Sequence, residues 1–200
     1  MTHTLLESEA PHDPLALFTS WYEAAKPLAT GEPTAMTLAT ADAAGRPSAR
    51  IVLLKEYGAE GFVFFTNYGS RKSAELEANP HAALLFWWPA AGRQVRVEGR
   101  IEKISPAKSD AYFATRPRRS QIGAWASEQS RVIPDRATLD ARFQRFEQEF
   151  PADVSRPPHW GGYRVIPESI EFWQNHIDRL HDRLRYRQVD NGWIIERLNP

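Results

Sequence analysis

The feature that most restricts the fold is a series of short apolar runs, rich in β-branched and aromatic residues and broken by turn chemistry, with no helix spaced regularly between them. "AMTLATA", "SARIVLLKEY", "FVFFTN", "HAALLFWW" and "RQVRVEGRIEKI" read as strands, as do "GGYRVI", "SIEFWQ", "RLHDRLRYRQ" and "GWIIERL" near the C-terminus. Between them lie "DAAGRP", "GAEG", a turn at Pro89–Gly92 and the dipeptide Asn191-Gly192, a strong hairpin signal. Gly99 sits where a bulge is expected. Without a βαβ rhythm, the pattern predicts a mostly antiparallel sheet closed into a barrel, with helices packed outside. The fold class is mainly β with flanking helices (α+β).

The helical segments carry their own start signals. Asp13 and Pro14 open "DPLALFTSWYEAAKPLA", in which Leu15, Phe18, Trp21, Tyr22 and Ala25 recur at helical spacing. Ser105 and Pro106 open a second helix, and "SRKSAELEAN" reads as a short third that stops before Pro80. "IPDRATLDARFQRFEQEF" carries Leu139, Phe143, Phe146 and Phe150 on one face. Two hundred residues make one domain over 1–200 the expectation, with residues 1–12 a flexible lead-in.

Composition excludes several classes. Net charge is zero, which argues against wholesale nucleic-acid binding. Cysteine is absent, so neither a disulfide frame nor a thiolate metal site is available. "MTHTLLESEAPHDP" lacks a basic start and apolar core, so no signal peptide is expected, and "AALLFWWPAA" is too short to span a bilayer. The chain reads as cytoplasmic. Most of its 25 basic residues are Arg, which suits bidentate recognition of phosphate or carboxylate; a genomic bias gives the same excess.

Three segments place cations where an anion would explain them. Ser70 is a candidate N-cap that puts Arg71 and Lys72 in the first turn of a helix, against the macrodipole. A phosphate on the free N–H groups removes the conflict; a solvated helix start is the plainer reading. "RIVLLK" sets Arg50 and Lys55 five apart, on opposite faces of a regular strand. "YFATRPRRSQIGAW" gathers Tyr112, Arg116, Arg118, Arg119 and Ser120 around a helix end, where cations also serve as dipole partners. Read as a strand, residues 179–187 line up Arg179, His181, Arg183, Arg185 and Arg187 on one face, a stripe that calls for water or an anionic partner. Trp173 is either an ordinary core residue or the flank of a planar cofactor. His176 and His181, also five apart, fall on opposite faces of a strand, and no metal-ligand, Walker A, Gly-x-Ser-x-Gly or Gly-x-Gly-x-x-Gly spacing occurs.

"RIVLLK", "FFTNYGSRKSAEL", "RQVRVEG", "YFATRPRRSQIGAW", "SEQS", "HWGGYRV", "IEFWQ" and "RLHDRLRY" occur in this order, and from Asp13 to Pro200 the sequence resembles the pyridoxamine 5′-phosphate oxidase family. The resemblance implies an FMN-binding split β-barrel, a homodimer with the flavin at its interface. It implies oxidation of pyridoxamine or pyridoxine 5′-phosphate to pyridoxal 5′-phosphate by O₂, with release of H₂O₂. By the same resemblance FMN contacts fall on Arg50, Ile51, Val52, Leu53, Leu54, Lys55, Phe65, Thr66, Arg71, Lys72, Gln94, Gln129, Ser130, Trp173 and Arg183. Substrate contacts fall on Lys55, Tyr112, Arg116, Ser120, Arg179, Leu180 and His181, with Arg179 and His181 the catalytic pair. The chain departs from the family pattern in its short acidic N-terminus, in Asn175-His176-Ile177-Asp178 before Arg179, and in Phe65 where Tyr is frequent. A split barrel that holds FMN or pyridoxal phosphate without turnover, and an Arg-stripe nucleic-acid binder, are the alternatives.

Overall fold

Every strand pairing is antiparallel, as the short turns predict. The computed structural model describes residues 4–200. Its strands are β1 (Ala35–Ala41), β2 (Pro47–Leu53), β3 (Glu56–Gly58), β4 (Gly61–Asn67), β5 (His81–Trp88), β6 (Arg93–Lys103), β7 (Trp160–Gln174), β8 (Asp182–Val189) and β9 (Gly192–Arg197). They form one sheet in the order β2-β1-β5-β6-β7-β4-β3, with β8 on β7 and β9 on β8. No ladder joins β2 to β3 among the described residues, so the expected closed barrel is open along that seam.

Two strands read separately from the sequence are one. "GGYRVI" and "SIEFWQ" run together as β7, 15 residues long, through Pro167. The proline is tolerated because it sits at a bulge, where Glu98 faces Ser169 and Gly99 faces Pro167, leaving Glu168 unpaired. Gly99 is required there, because a Cβ would collide with the Ile166 carbonyl. The bulge lets one strand serve two neighbourhoods: β7 pairs with β4 through Trp160–Val165 and with β8 through Ser169–Gln174.

Alternation buries one face of each strand, as in β5, where Ala82, Leu84, Phe86 and Trp88 point inward. Helix α1 (Pro14–Ala25) closes this core. Asp13 caps it, accepting from Leu15 N–H at 2.9 Å. Phe18 is fully buried and packs edge-on against Tyr57, Phe62 and Phe86 at ring-centroid distances of 4.9–5.1 Å. A second cluster around Phe113, Ile122 and Trp160 seats α3 (Pro106–Ala114), α4 (Arg118–Ala126) and α5 (Arg136–Glu149), the last through Phe143, Phe146 and Phe150. Helix α2 (Arg71–Ala78) follows β4 directly. No helix among the described residues is long and apolar enough to cross a membrane.

Several local expectations change. The hairpin after β8 turns on Asp190-Asn191, one residue earlier than expected, because Gly192 already pairs with Val189. Residues 118–126 form a helix not anticipated from the sequence; Pro117 and two arginines hid its start. The stretch 179–181 is not strand: a 3₁₀ turn covers Ile177–Arg179 and β8 begins at Asp182. Only Arg183, Arg185 and Arg187 share a strand face, and each meets a carboxylate on a flanking strand. Arg183 Nε donates to Glu171 at 2.8 Å, while Arg185 meets Glu196 at 2.7 Å and Arg187 meets it at 3.5 Å. Neither water nor a polyanion is needed to explain the stripe.

Within the segment expected to be a flexible lead-in, residues 4–12 make specific contacts with β8 and β9. Leu5 N–H donates to Asp182 Oδ2 at 2.9 Å, and Arg197 binds the Leu5 carbonyl and Glu7. Tyr186 Oη donates to the Pro11 carbonyl at 2.8 Å. Residues 1–3 of that expectation lie outside the described residues.

Phe18→Ala empties the centre of the aromatic cluster and should cost about 3–5 kcal/mol of unfolding free energy in urea titrations. A loss below about 1 kcal/mol would show that α1 is not part of the cooperative core.

Candidate functional site

Where β2, β4, α2 and α4 approach one another they leave a cavity of about 1090 Å³. It draws together most of the residues singled out above: Arg50, Ile51, Val52, Leu53, Lys55, Phe65, Thr66, Arg71, Lys72, Tyr112, Arg116, Ser120, Gln129 and Ser130. Arg50 and Lys55 both line it, contrary to their spacing, because β2 ends at Leu53. The chain then turns, with Leu54 N–H bonded to the Thr34 carbonyl and Lys55 N–H to the Val63 carbonyl. The Leu54 side chain itself is buried in the barrel core.

The cavity is organised by one carboxylate that sequence reasoning missed. Glu75, on the second turn of α2, is only 5% exposed and accepts from Thr40 at 2.5 Å and Ser48 at 2.6 Å. It also pairs with Arg71 at 2.8 Å and Arg50 at 3.2 Å. Burial pushes its carboxyl pKa up, but the hydrogen bonds from Ser48, Thr40 and Arg71 outweigh it and hold the value at about 2. The i, i+4 spacing of Arg71 and Glu75 was the available signal. The remaining cations exceed this single negative charge.

Lys72 is 7% exposed and donates to Gln129 at 2.7 Å, Thr66 at 3.1 Å and Ser70 at 3.2 Å, so every partner is neutral. Burial, reinforced by the nearby Arg50 charge and opposed by Glu75, lowers its pKa to about 8. Gln129 and Ser130 reach the cavity from the loop after α4, where Ser130 adopts a left-handed φ of 72°. Ser70 precedes α2 without capping it; its hydroxyl lies 3.2 Å from Ser73 Oγ. A buried, uncompensated ammonium beside a helix start is the environment an anionic group stabilises.

The opposite wall is aromatic. Phe65 stacks on Tyr112 at 4.0 Å and on Trp160 at 5.3 Å. Arg116 lies over the Trp160 ring at 4.6 Å, and one of its terminal nitrogens is buried without a hydrogen-bond partner. Burial lowers the Arg116 pKa. An orphaned guanidinium nitrogen at the cavity wall is a second place where an anion fits. Trp160 is a further lining residue the sequence reading did not single out. Arg118 and Arg119, by contrast, leave the cavity. Arg118 donates to the carbonyls of Phe150 and Ala152, and Arg119 pairs with Glu147, so both fasten α4 to α5.

The other candidates gather elsewhere. Gln94, Trp173 and Arg183 form a row across β6, β7 and β8. Beside that row a cavity of about 340 Å³ is lined by Trp173, Asn175, His176, Asp178, Arg179 and His181. His181 packs on Trp173 with ring centroids 4.5 Å apart, and Leu180 is exposed. The 3₁₀ turn brings His176 and His181 together rather than apart, with His176 N–H donating to His181 Nδ1 at 3.2 Å. Within one chain the two groups are therefore separate, each at one end of β7.

Known proteins show the same arrangement of sequence and fold. Residues 23–150 match the family model for pyridoxamine 5′-phosphate oxidase, and residues 160–200 match that for the pyridoxine 5′-phosphate oxidase C-terminal dimerisation region. The pyridoxine/pyridoxamine 5′-phosphate oxidase of Burkholderia multivorans is 56% identical over 200 residues, covering 98% of this chain and 94% of that protein. That of Acaryochloris marina is 55% identical over 197 residues, covering 98% and 90%. The crystal structure of PhzG from Burkholderia lata, in complex with tetrahydrophenazine-1-carboxylic acid, superposes with a TM-score of 0.92 at 31% identity, covering 100% of this chain and 99% of that one. An FMN-binding, pyridoxamine 5′-phosphate oxidase-related protein from Nostoc punctiforme shares the fold, with a TM-score of 0.75 at 18% identity. With family models matching on both sides of the α5–β7 loop and relatives above 50% identity along nearly its whole length, this chain belongs to the pyridoxamine 5′-phosphate oxidase family.

Proposed function

We propose that this chain is an FMN-dependent oxidase that converts pyridoxamine and pyridoxine 5′-phosphates to pyridoxal 5′-phosphate with O₂, releasing H₂O₂, and that it works as a single-domain cytoplasmic homodimer. The observation that carries the reading is the large cavity with two separate anion-ready positions, at Lys72 and at Arg116. FMN and the substrate each bring one phosphate. The fit is chemical as well as numerical, since a phosphate would return the charge partner that Lys72 lacks and an acceptor for the orphaned Arg116 nitrogen.

Arg50, Arg71 and Lys72, with Thr66, Gln129 and Ser130, would hold the FMN phosphate and its ribityl chain. The strand from Ile51 to Lys55 and the ring of Phe65 would flank the flavin. Lys55, Tyr112, Arg116 and Ser120 would hold the substrate phosphate. When bound, FMN supplies the two-electron acceptor that O₂ regenerates; the protein's task is to orient the substrate and exclude water. Arg179 and His181 would contact the substrate ring. The guanidinium would stabilise developing negative charge, and the imidazole would hydrogen-bond a ring substituent.

Because Arg179 and His181 lie outside the large cavity of their own chain, the site is proposed to be completed by a second copy. Gln94, Trp173 and Arg183 of one protomer would meet the flavin held by its partner. The matched dimerisation region spans this row's Trp173 and Arg183 together with Arg179 and His181, which supports that assignment.

Purified protein loaded with FMN should be yellow and should bleach on anaerobic addition of pyridoxamine 5′-phosphate, regaining colour and releasing H₂O₂ on aeration. Failure to take up FMN, or a spectrum unmoved by both substrates, would reject the reading and favour a binding protein without turnover.

Arg179→Ala should lower kcat at least tenfold while leaving FMN affinity within about twofold, whereas Arg71→Ala should weaken FMN about tenfold. Equal behaviour of the two in flavin titration and kinetics would refute the division of roles. FMN affinity should also fall as pH rises through about 8, where Lys72 loses its proton in the flavin-free protein, with proton uptake on binding above that pH. Lys72→Met should bind more weakly and remove this pH dependence; titrations from pH 7 to 9.5 decide it.

A further inference from the structure

We propose that His176 is a positioning residue for the oxidation: anchored on Asp182, it holds His181 as a neutral ring whose proton sits on Nε2, so that His181 meets the substrate as a hydrogen-bond donor. The inference rests on the reading of Arg179 and His181 as the substrate-contacting pair, and deepens it.

The contact between the two histidines fixes chemistry as well as position. His176 donates its backbone N–H to His181 Nδ1 at 3.2 Å. An accepting Nδ1 carries no proton, so the single N–H of the neutral ring lies on Nε2, and Trp173 holds the ring face at 4.5 Å. A His181 held in this way donates to the ring nitrogen or to a substituent oxygen of the substrate rather than removing a proton from it.

The anchor lies on the other side of His176. Its Nε2 is buried 2.7 Å from Asp182 Oδ2, a close polar contact that is not aligned as a hydrogen bond, and the Asp182 side chain is nearly buried. Leu5 N–H reaches the same oxygen at 2.9 Å, and Arg197 takes the other at 2.7 Å while Glu7 steadies its guanidinium. Burial alone would push the Asp182 carboxyl pKa up, but Leu5 N–H, Arg197 and His176 bring it below its ordinary value, so an anion stands beneath His176. Asp178 and Arg179 follow with φ of 60° and 64°, left-handed geometry that non-glycine residues adopt only under constraint. The anchored His176 on one side and β8 on the other supply that constraint. The charged groups around the pair are thus Asp182, Arg197, Glu7, Asp178, Arg179 and, along β8, Arg183.

The test uses FMN-loaded protein labelled with ¹⁵N-histidine. Long-range proton–nitrogen spectra should show neutral His181 with its proton on Nε2, and His176→Ala should broaden or shift this signature. The same variant should lower kcat about tenfold for both substrates, with substrate KM and FMN affinity within about twofold. His176→Gln, whose amide keeps a polar group within reach of Asp182, should recover kcat to within about threefold of the natural protein. A proton on His181 Nδ1 in the natural protein would overturn the proposal. So would an unchanged kcat in His176→Ala, or a Gln variant that loses as much as Ala. If the natural protein shows the Nε2 tautomer yet oxidises neither phosphate, the oxidase reading fails and the tautomer assignment stands.

Discussion

Strand β7 is the constraint on which the architecture depends. It pairs with β6 along most of its length and, on the other edge, with β4 and then β8, one on each side of the bulge opposite Gly99. Its first residue, Trp160, lines the large cavity, and its last turns pack Trp173 against His181. At about 3.3 Å per residue the strand has a contour of roughly 40 Å between them. One element thus sets two chemically distinct surfaces apart while fixing each against a rigid sheet.

Electrostatics inside the cavity follow a similar economy. Glu75 is the carboxylate that holds Arg50 and Arg71 in place, and its hydroxyl donors keep it ionised despite burial. It orders two cations while leaving Lys72 paired only with neutral atoms and Arg116 with an unsatisfied nitrogen. Other arginines serve the scaffold: Arg118 and Arg119 fasten α5, and Arg185 and Arg187 meet Glu196. A cation stripe that looked like a ligand surface is thus mostly sheet cement.

What was legible in the sequence was whatever a local pattern determines. Alternation located the strands, Asp13-Pro14 and Ser105-Pro106 located two helix starts, and the cations against the dipole at Arg71 and Lys72 located the cavity floor. What escaped depended on partners distant in the chain. The merging of β7 through Pro167 needs a bulge on β6, and the departure of Lys55 from strand alternation needs Thr34 and Val63 as partners. The meeting of His176 with His181 comes at a 3₁₀ turn beside Asp182, which Leu5 and Arg197 hold from far along the chain. Strand periodicity placed those histidines on opposite faces because it carries no information about a turn imposed from outside.

The central claim is that each active site combines the cation-lined cavity of one protomer with Arg179 and His181 of another. A heterodimer carrying Lys72→Met on one chain and Arg179→Ala on the other, isolated by two different tags, tests it directly. Shared sites leave one site with both defects and one site intact, so at an FMN concentration too low to load the Lys72→Met homodimer the heterodimer should show substantial oxidase activity that neither variant homodimer has. Activity no greater than that of the two parent homodimers would show that each site is built within a single chain, and would contradict the account.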